Sequence, residues 1–125
     1  MIAPGLTHTS TLTVTDALTA RAMGSGDLPV LATPAMTALM ENAAMLAVAS
    51  ELPEGSTTVG GHITSSHLAP TPVGHTITAT ATLTKVEGRK LTFTVEAHGG
   101  ETLLGQGTHL RFIVDRTRFL AKITT

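Results

Sequence analysis

Through most of the second half of the chain, apolar and polar positions alternate with period two. From Thr76 to Val86 the residues Ile77, Ala79, Ala81 and Leu83 fall on one side and Thr76, Thr78, Thr80, Thr82 and Thr84 on the other, which is the pattern of a half-buried strand. Leu91-Thr92-Phe93-Thr94-Val95 repeats it, and Thr102 to Val114 reads as a long final strand before a short tail, Arg116 to Thr125. Glu87-Gly88-Arg89 and Gly99-Gly100 punctuate these runs as hairpin turns. Thr57 to Leu68 is an earlier strand that contains Gly60-Gly61; glycines inside a strand mark a bulge or a close backbone approach. Pro70-Thr71-Pro72-Val73-Gly74 then turns the chain. Near the start, Leu6 to Val14 is rich in threonine and β-branched residues and predicts one more strand. Thr15 to Leu31 is irregular, with a loop at Gly24-Ser25-Gly26-Asp27.

The period changes once. Pro34 to Leu52 is dense in Ala, Leu, Met and Glu, strong helix formers, and predicts the one long helix. Thr33 suits the N-cap and Pro34 the first helical position; Pro53 and Gly55 end it. The segment is apolar nearly all round, so the helix is expected to be enclosed by other structure. A strand, a buried helix and an antiparallel meander make an α+β plan, with the sheet curled around the helix.

Composition narrows the chemistry. The 125 residues fit one domain, residues 1–125, with a real core. With no Cys, disulfides, thiolate metal sites and a cysteine nucleophile are excluded. Only 2% of residues are aromatic, all Phe, and the net charge is −1, so neither a stacking platform nor a basic surface for nucleic acid is evident. No run of apolar residues is long enough for a membrane span, and Met1-Ile2-Ala3-Pro4-Gly5 lacks signal-peptide features. A cytoplasmic location is the expectation.

Charge is scarce, 14% of residues against about 25% in a typical domain, and its distribution singles out one carboxylate. No Lys or Arg occurs from Ala22 to Thr84. Glu41 has Thr37, Ala38, Ala44, Met45 and Val48 as its helical neighbours. An unpaired carboxylate on an apolar stripe is costly if buried. It calls for a polar partner from elsewhere or a functional role, unless the helix opens to solvent at that turn or main chain satisfies it. Among the six histidines there is no His-x-His or His-x₃-His pair, so a metal site is not expected. His67 ends its strand just before the Pro70–Pro72 turn, where a side chain can reach a pocket. Thr33, besides capping, places a hydroxyl where a helix N-terminus stabilises negative charge. Arg111 lies between Leu110 and Phe112; alternation puts it on the face opposite theirs, the solvent face if those two are core. In the tail, Arg116, Arg118 and Lys122 form a basic end, a solvated terminus or a phosphate contact.

Thr33-Pro34 opening an apolar helix, then Glu41 and His67, with Gly60 seven residues before His67, resemble the fluoroacetyl-CoA thioesterase family. The runs Thr58-Val59-Gly60-Gly61-His62-Ile63, His67-Leu68-Ala69-Pro70-Thr71-Pro72-Val73-Gly74 and Val86-Glu87-Gly88-Arg89-Lys90-Leu91-Thr92-Phe93 carry the same likeness, which extends roughly from Val14 to Arg118. The resemblance implies a hot-dog fold, an antiparallel sheet wrapped around one long central helix. It also implies a homodimer with active sites near the subunit interface, and hydrolysis of acyl-CoA thioesters through Thr33, Glu41 and His67. Gly60 and Arg111 fall at its pocket positions. No metal and no cofactor are implied, coenzyme A being part of the substrate. Glu41 would attack the thioester carbonyl or activate water, His67 would move protons, and Thr33 would orient the carboxylate or donate to the carbonyl oxygen.

One departure bears on the substrate. Family members selective for the fluorinated substrate have a lid of bulky Phe side chains ahead of the helix, whereas Arg21 to Leu31 contains no Phe. A thioesterase for small acyl-CoA esters without fluoroacetyl selectivity is therefore expected. A hot-dog domain that binds an acyl-CoA or pantetheine-linked ligand without turnover is the alternative. A hot-dog hydratase fits less well, because the Thr/Glu/His spacing does not look like the Asp/His hydratase pattern.

Overall fold

Period-two alternation becomes a five-stranded antiparallel sheet, and the Ala/Leu/Met segment becomes the helix it wraps. The computed structural model describes residues 2–123. In chain order the elements are β1 (Thr7–Thr13), a 3₁₀ turn (Asp16–Leu18), α1 (Ala20–Met23), α2 (Thr33–Ala49), β2 (Ser56–His67), β3 (Thr76–Glu87), β4 (Lys90–Gly99), β5 (Thr102–Asp115) and α3 (Arg116–Ala121). The sheet order is β1-β3-β4-β5-β2, which leaves β1 and β2 as edges. This is the hot-dog arrangement, and its class is α+β.

The core is the seam between α2 and the concave face of the sheet. Ala35, Met36, Leu39, Met40, Ala43, Ala44, Ala47 and Val48 are the buried residues of α2. They share a core with Ile77, Ala79, Ala81 and Leu83 of β3 and Leu91, Phe93, Val95 and Ala97 of β4. Alanines on both partners let the helix lie close to the strands. Over β5 the approach is closer still: a Cβ at Gly105 would sit 2.7 Å from Met36 Cε. The threonines of the alternating strands form ladders on the outer face, for example Thr9 Oγ1 with Thr80 Oγ1 at 2.8 Å.

Two details of α2 differ from the sequence reading. Its cap is Ala32, with no side-chain cap bond, so Thr33 is the first helical residue and its hydroxyl is free for another partner. The helix is also not enclosed. Ala38, Asn42 and Ala49 are exposed, and Leu46 is 41% exposed, because a single sheet covers only one face of a helix. The tail is likewise more ordered than expected. It forms α3, capped by the Asp115 carboxylate accepting from the Arg118 N–H at 3.0 Å; residues 124–125 lie outside the described residues. Among the described residues no helix is long and apolar enough to cross a membrane.

Candidate active site

Thr33 and His67 meet where the start of α2 passes the end of β2. Thr33 Oγ1 is 2.7 Å from His67 Nδ1, so the hydroxyl freed from capping engages the imidazole. His67 closes its strand, and the next residue's N–H donates to the Leu104 carbonyl at 2.6 Å, which anchors the backbone there. His67 Nε2 is buried without a protein partner. A shallow cleft of about 240 Å³ lined by Val30, His67, Leu68, Ala69 and Pro70 opens beside it.

The second group gathers around Gly60. Arg111, on β5, is only 6% exposed. Its Nε donates to Thr58 Oγ1 at 2.8 Å and its Nη2 to the Thr58 carbonyl at 2.9 Å. Its Nη1 lies 3.2 Å from His109 Nε2 and 3.8 Å from Glu41 Oε2. His109 Nδ1 is 2.7 Å from the His62 carbonyl oxygen. A carbonyl only accepts, so Nδ1 carries the hydrogen, and in the neutral ring Nε2 is left to accept from Arg111. Burial pushes the His109 pKa below its usual value; the bond to His62 opposes this and the Arg111 charge adds to it. Burial also lowers the Arg111 pKa, against the attraction of Glu41, and the guanidinium remains charged. A Cβ at Gly60 would lie 2.9 Å from Glu41 Oε2, 3.3 Å from His109 Cε1 and 3.5 Å from Arg111 Nη1. The glycine therefore leaves a gap that three functional groups border.

A β-bulge makes this geometry. The β2–β5 register shifts between Gly60 and His62, so Gly61 is an extra residue and the alternation changes parity there. Thr58 and Gly60 before the bulge, and Ile63, Ser65 and His67 after it, consequently share the helix-facing side. On an unbroken strand Gly60 and His67, seven positions apart, would face opposite ways.

Arg111 corrects the sequence reading. It does lie opposite Leu110 and Phe112, but its own side is the interior: Phe112 is 37% exposed while Arg111 is buried. The helix-facing positions of β5 are Gly105, Gly107, His109, Arg111 and Ile113, so polarity marks the wrong face as outer. His109 escaped the sequence reading for the same reason; its signal was that it shares the parity of Arg111. Glu41 likewise gains a cation that no residue near it in sequence supplies. Nor is it sealed, since its side chain is 43% exposed.

The chain thus brings Thr33 to His67, and Glu41 to Gly60 and Arg111, but it keeps the two groups apart. Glu41 lies eight positions after Thr33 on α2, about 12 Å along the axis. Along β2, His67 lies roughly 20 Å beyond Gly60. Among the described residues no group of three or more His, Cys, Asp or Glu side chains could hold a metal ion.

Comparison with known proteins bears on what these groups do. Residues 14–117 match the family model of the fluoroacetyl-CoA-specific thioesterase. The chain is 44% identical over 94 residues to a fluoroacetyl-CoA thioesterase of Streptantibioticus cattleyicolor, covering 75% of this chain and 68% of that one. A solved structure of a fluoroacetyl-CoA thioesterase superposes with a TM-score of 0.91 at 36% identity, over 98% of this chain and 96% of that one. A hot-dog-like protein from Thermanaerovibrio acidaminovorans gives 0.87 at 22% identity, over 98% and 90%, which supports the fold alone.

Proposed function

From the premise that this chain belongs to the fluoroacetyl-CoA-specific thioesterase family and is an acyl-CoA thioester hydrolase, we propose that it cleaves small acyl-CoA esters through Thr33, Glu41 and His67. The observation that carries this reading is the placement of Glu41: a solvent-reachable carboxylate 3.8 Å from the buried Arg111 guanidinium, beside the gap at Gly60. The positive charge attracts the carboxylate and holds it toward the gap. There the acyl carbonyl is in reach for attack by Glu41, giving an acyl-glutamyl anhydride and a departing thiolate, or for attack by a water that Glu41 deprotonates. Hydroxylamine capture of an acyl group on Glu41 separates the two routes. Across a homodimer, His67 of one copy, tied to its Thr33, faces Glu41 of the other and supplies the proton that the leaving sulfur takes up. The Thr33 hydroxyl at the start of α2 donates to the carbonyl oxygen as charge develops there. Arg111 and Gly60 border the acyl pocket.

The acyl preference is not fluoroacetyl. Among the described residues ahead of α2 the exposed large apolar side chains are Met23 and Leu28, and Phe93, Phe112 and Phe119 all lie in later elements, so the segment ahead of the helix has no aromatic ring to form a lid. The carrier is coenzyme A, with no further cofactor, and the reaction belongs in the cytoplasm. The active form is a homodimer. Its support is threefold: the outer edge of β2 is an open row of backbone donors and acceptors, the uncovered face of α2 carries Ala38 and Leu46, and the halves of the site lie apart within one chain.

Thiol release from a panel of short acyl-CoAs tests the reading. Glu41→Gln and His67→Ala are each expected to lower kcat by roughly 10²–10⁴-fold. Near-wild-type turnover in both would sink the proposed site. Binding without release from any ester would favour the non-catalytic acyl-CoA-binding domain instead.

A further inference from the structure

We propose that His109 is a positioning residue for the reaction: its Nε2 lone pair fixes the orientation in which Arg111 faces Glu41. The inference rests on the reading of Glu41 and Arg111 as the reacting end of the site. His109 is 1% exposed and paired across the sheet with Ile63 and Phe93, with only its Cε1 edge turned to the gap at Gly60. Both ring nitrogens are committed. Nδ1–H is spent on the His62 carbonyl at 2.7 Å, the first residue after the β2 bulge, and this bond dictates the tautomer. Nε2 is thereby left as an acceptor, 3.2 Å from Arg111 Nη1. Thr58 holds the guanidinium by Nε and Nη2, and His109 holds its third nitrogen. Three anchors on a planar group leave it no rotation, so the remaining Nη1 hydrogen is aimed at the Glu41 side. A protonated imidazole would present a donor to a donor and break the arrangement. The burial and the Arg111 charge that lower the His109 pKa keep it neutral.

The two bonds of the ring are separable by substitution, since an Asn amide falls near the place of Nδ1 and a Gln amide near that of Nε2. His109→Asn can still donate to the His62 carbonyl but gives Arg111 no acceptor. His109→Gln retains the acceptor for Arg111 and gives up the bond to His62. Positioning predicts that His109→Asn lowers kcat by roughly 10–100-fold with KM less affected, and that His109→Gln loses about tenfold less. A purely structural histidine, tying down the bulge, predicts the reverse order, with activity following the thermal midpoint. Equal losses, or the reverse order, overturn the proposal. If either variant fails to fold, nitrogen-15 NMR of the wild-type protein decides. A protonated Nδ1 with a bare Nε2 at neutral pH, together with a slowly exchanging Arg111 side chain, supports the proposal, and the other tautomer or an imidazolium overturns it. Glu41→Gln is assayed in parallel: full activity there rejects the underlying site whatever the His109 variants do.

Discussion

Gly60 has no side chain because three functional groups stand where one would go. A Cβ there approaches Glu41 Oε2 to 2.9 Å, and the exposed carboxylate can swing away, so Gly60→Ala is expected to spare folding and harm catalysis. Thermal midpoint near wild type with kcat lowered roughly tenfold or more is the predicted result; an unchanged kcat would show that Glu41 does not work from its observed position. His109 gives a pH signature. Its folded-state pKa lies below 6.5, so the unfolded chain binds the proton more readily. The resulting loss of stability begins as pH falls through 6.5, continues toward the folded pKa and is absent at higher pH. Urea midpoints measured from pH 7.5 down to 5 should fall more steeply for wild type than for His109→Gln, because the difference between the two isolates this one ring.

At the scale of elements, the close fit of strands and helix depends on small residues with very different tolerance. At Gly107 a Cβ would run into the Thr64 backbone carbonyl, whereas at Gly61 it would meet the ring of Phe112, which is partly exposed and able to move. Gly107→Ala should therefore destabilise by at least about 1–3 kcal/mol, and Gly61→Ala by clearly less. Equilibrium denaturation that ranks them the other way would mean that β2 yields more easily than the Phe112 ring. Met36 lies fully buried over Gly105, and Met36→Ala should cost about 2–5 kcal/mol. The strands themselves are legible in sequence because their side chains alternate, and the bulge is signalled by Gly60-Gly61. Which faces the bulge aligns is not legible, since parity after it depends on where the extra residue sits against β5.

For the whole molecule, the separation of Thr33 and His67 from Glu41 makes a specific prediction about assembly. If a site combines Glu41 of one copy with Thr33 and His67 of another, then inactive Glu41→Gln and inactive His67→Ala proteins should complement when mixed. Unfolding and refolding an equimolar mixture should restore about a quarter of wild-type activity, since half the dimers are hybrids and each hybrid has one intact site. No recovery, with sedimentation confirming that hybrids formed, would mean that each site draws on one chain alone.

The sequence by itself determined the α+β class, the long helix and the alternating strands, because these follow from local periodicity. It also marked Glu41, by the absence of any nearby cation, and His67 and Thr33, by resemblance. Only the tertiary structure decided that Thr33 bonds His67 instead of capping its helix, that Arg111 points inward and that His109 stands behind it. Each of these depends on contacts between residues far apart in the chain. On β5 the interior face is the polar one, so hydropathy could not find it, and the packing of α2 across the strands had to settle it.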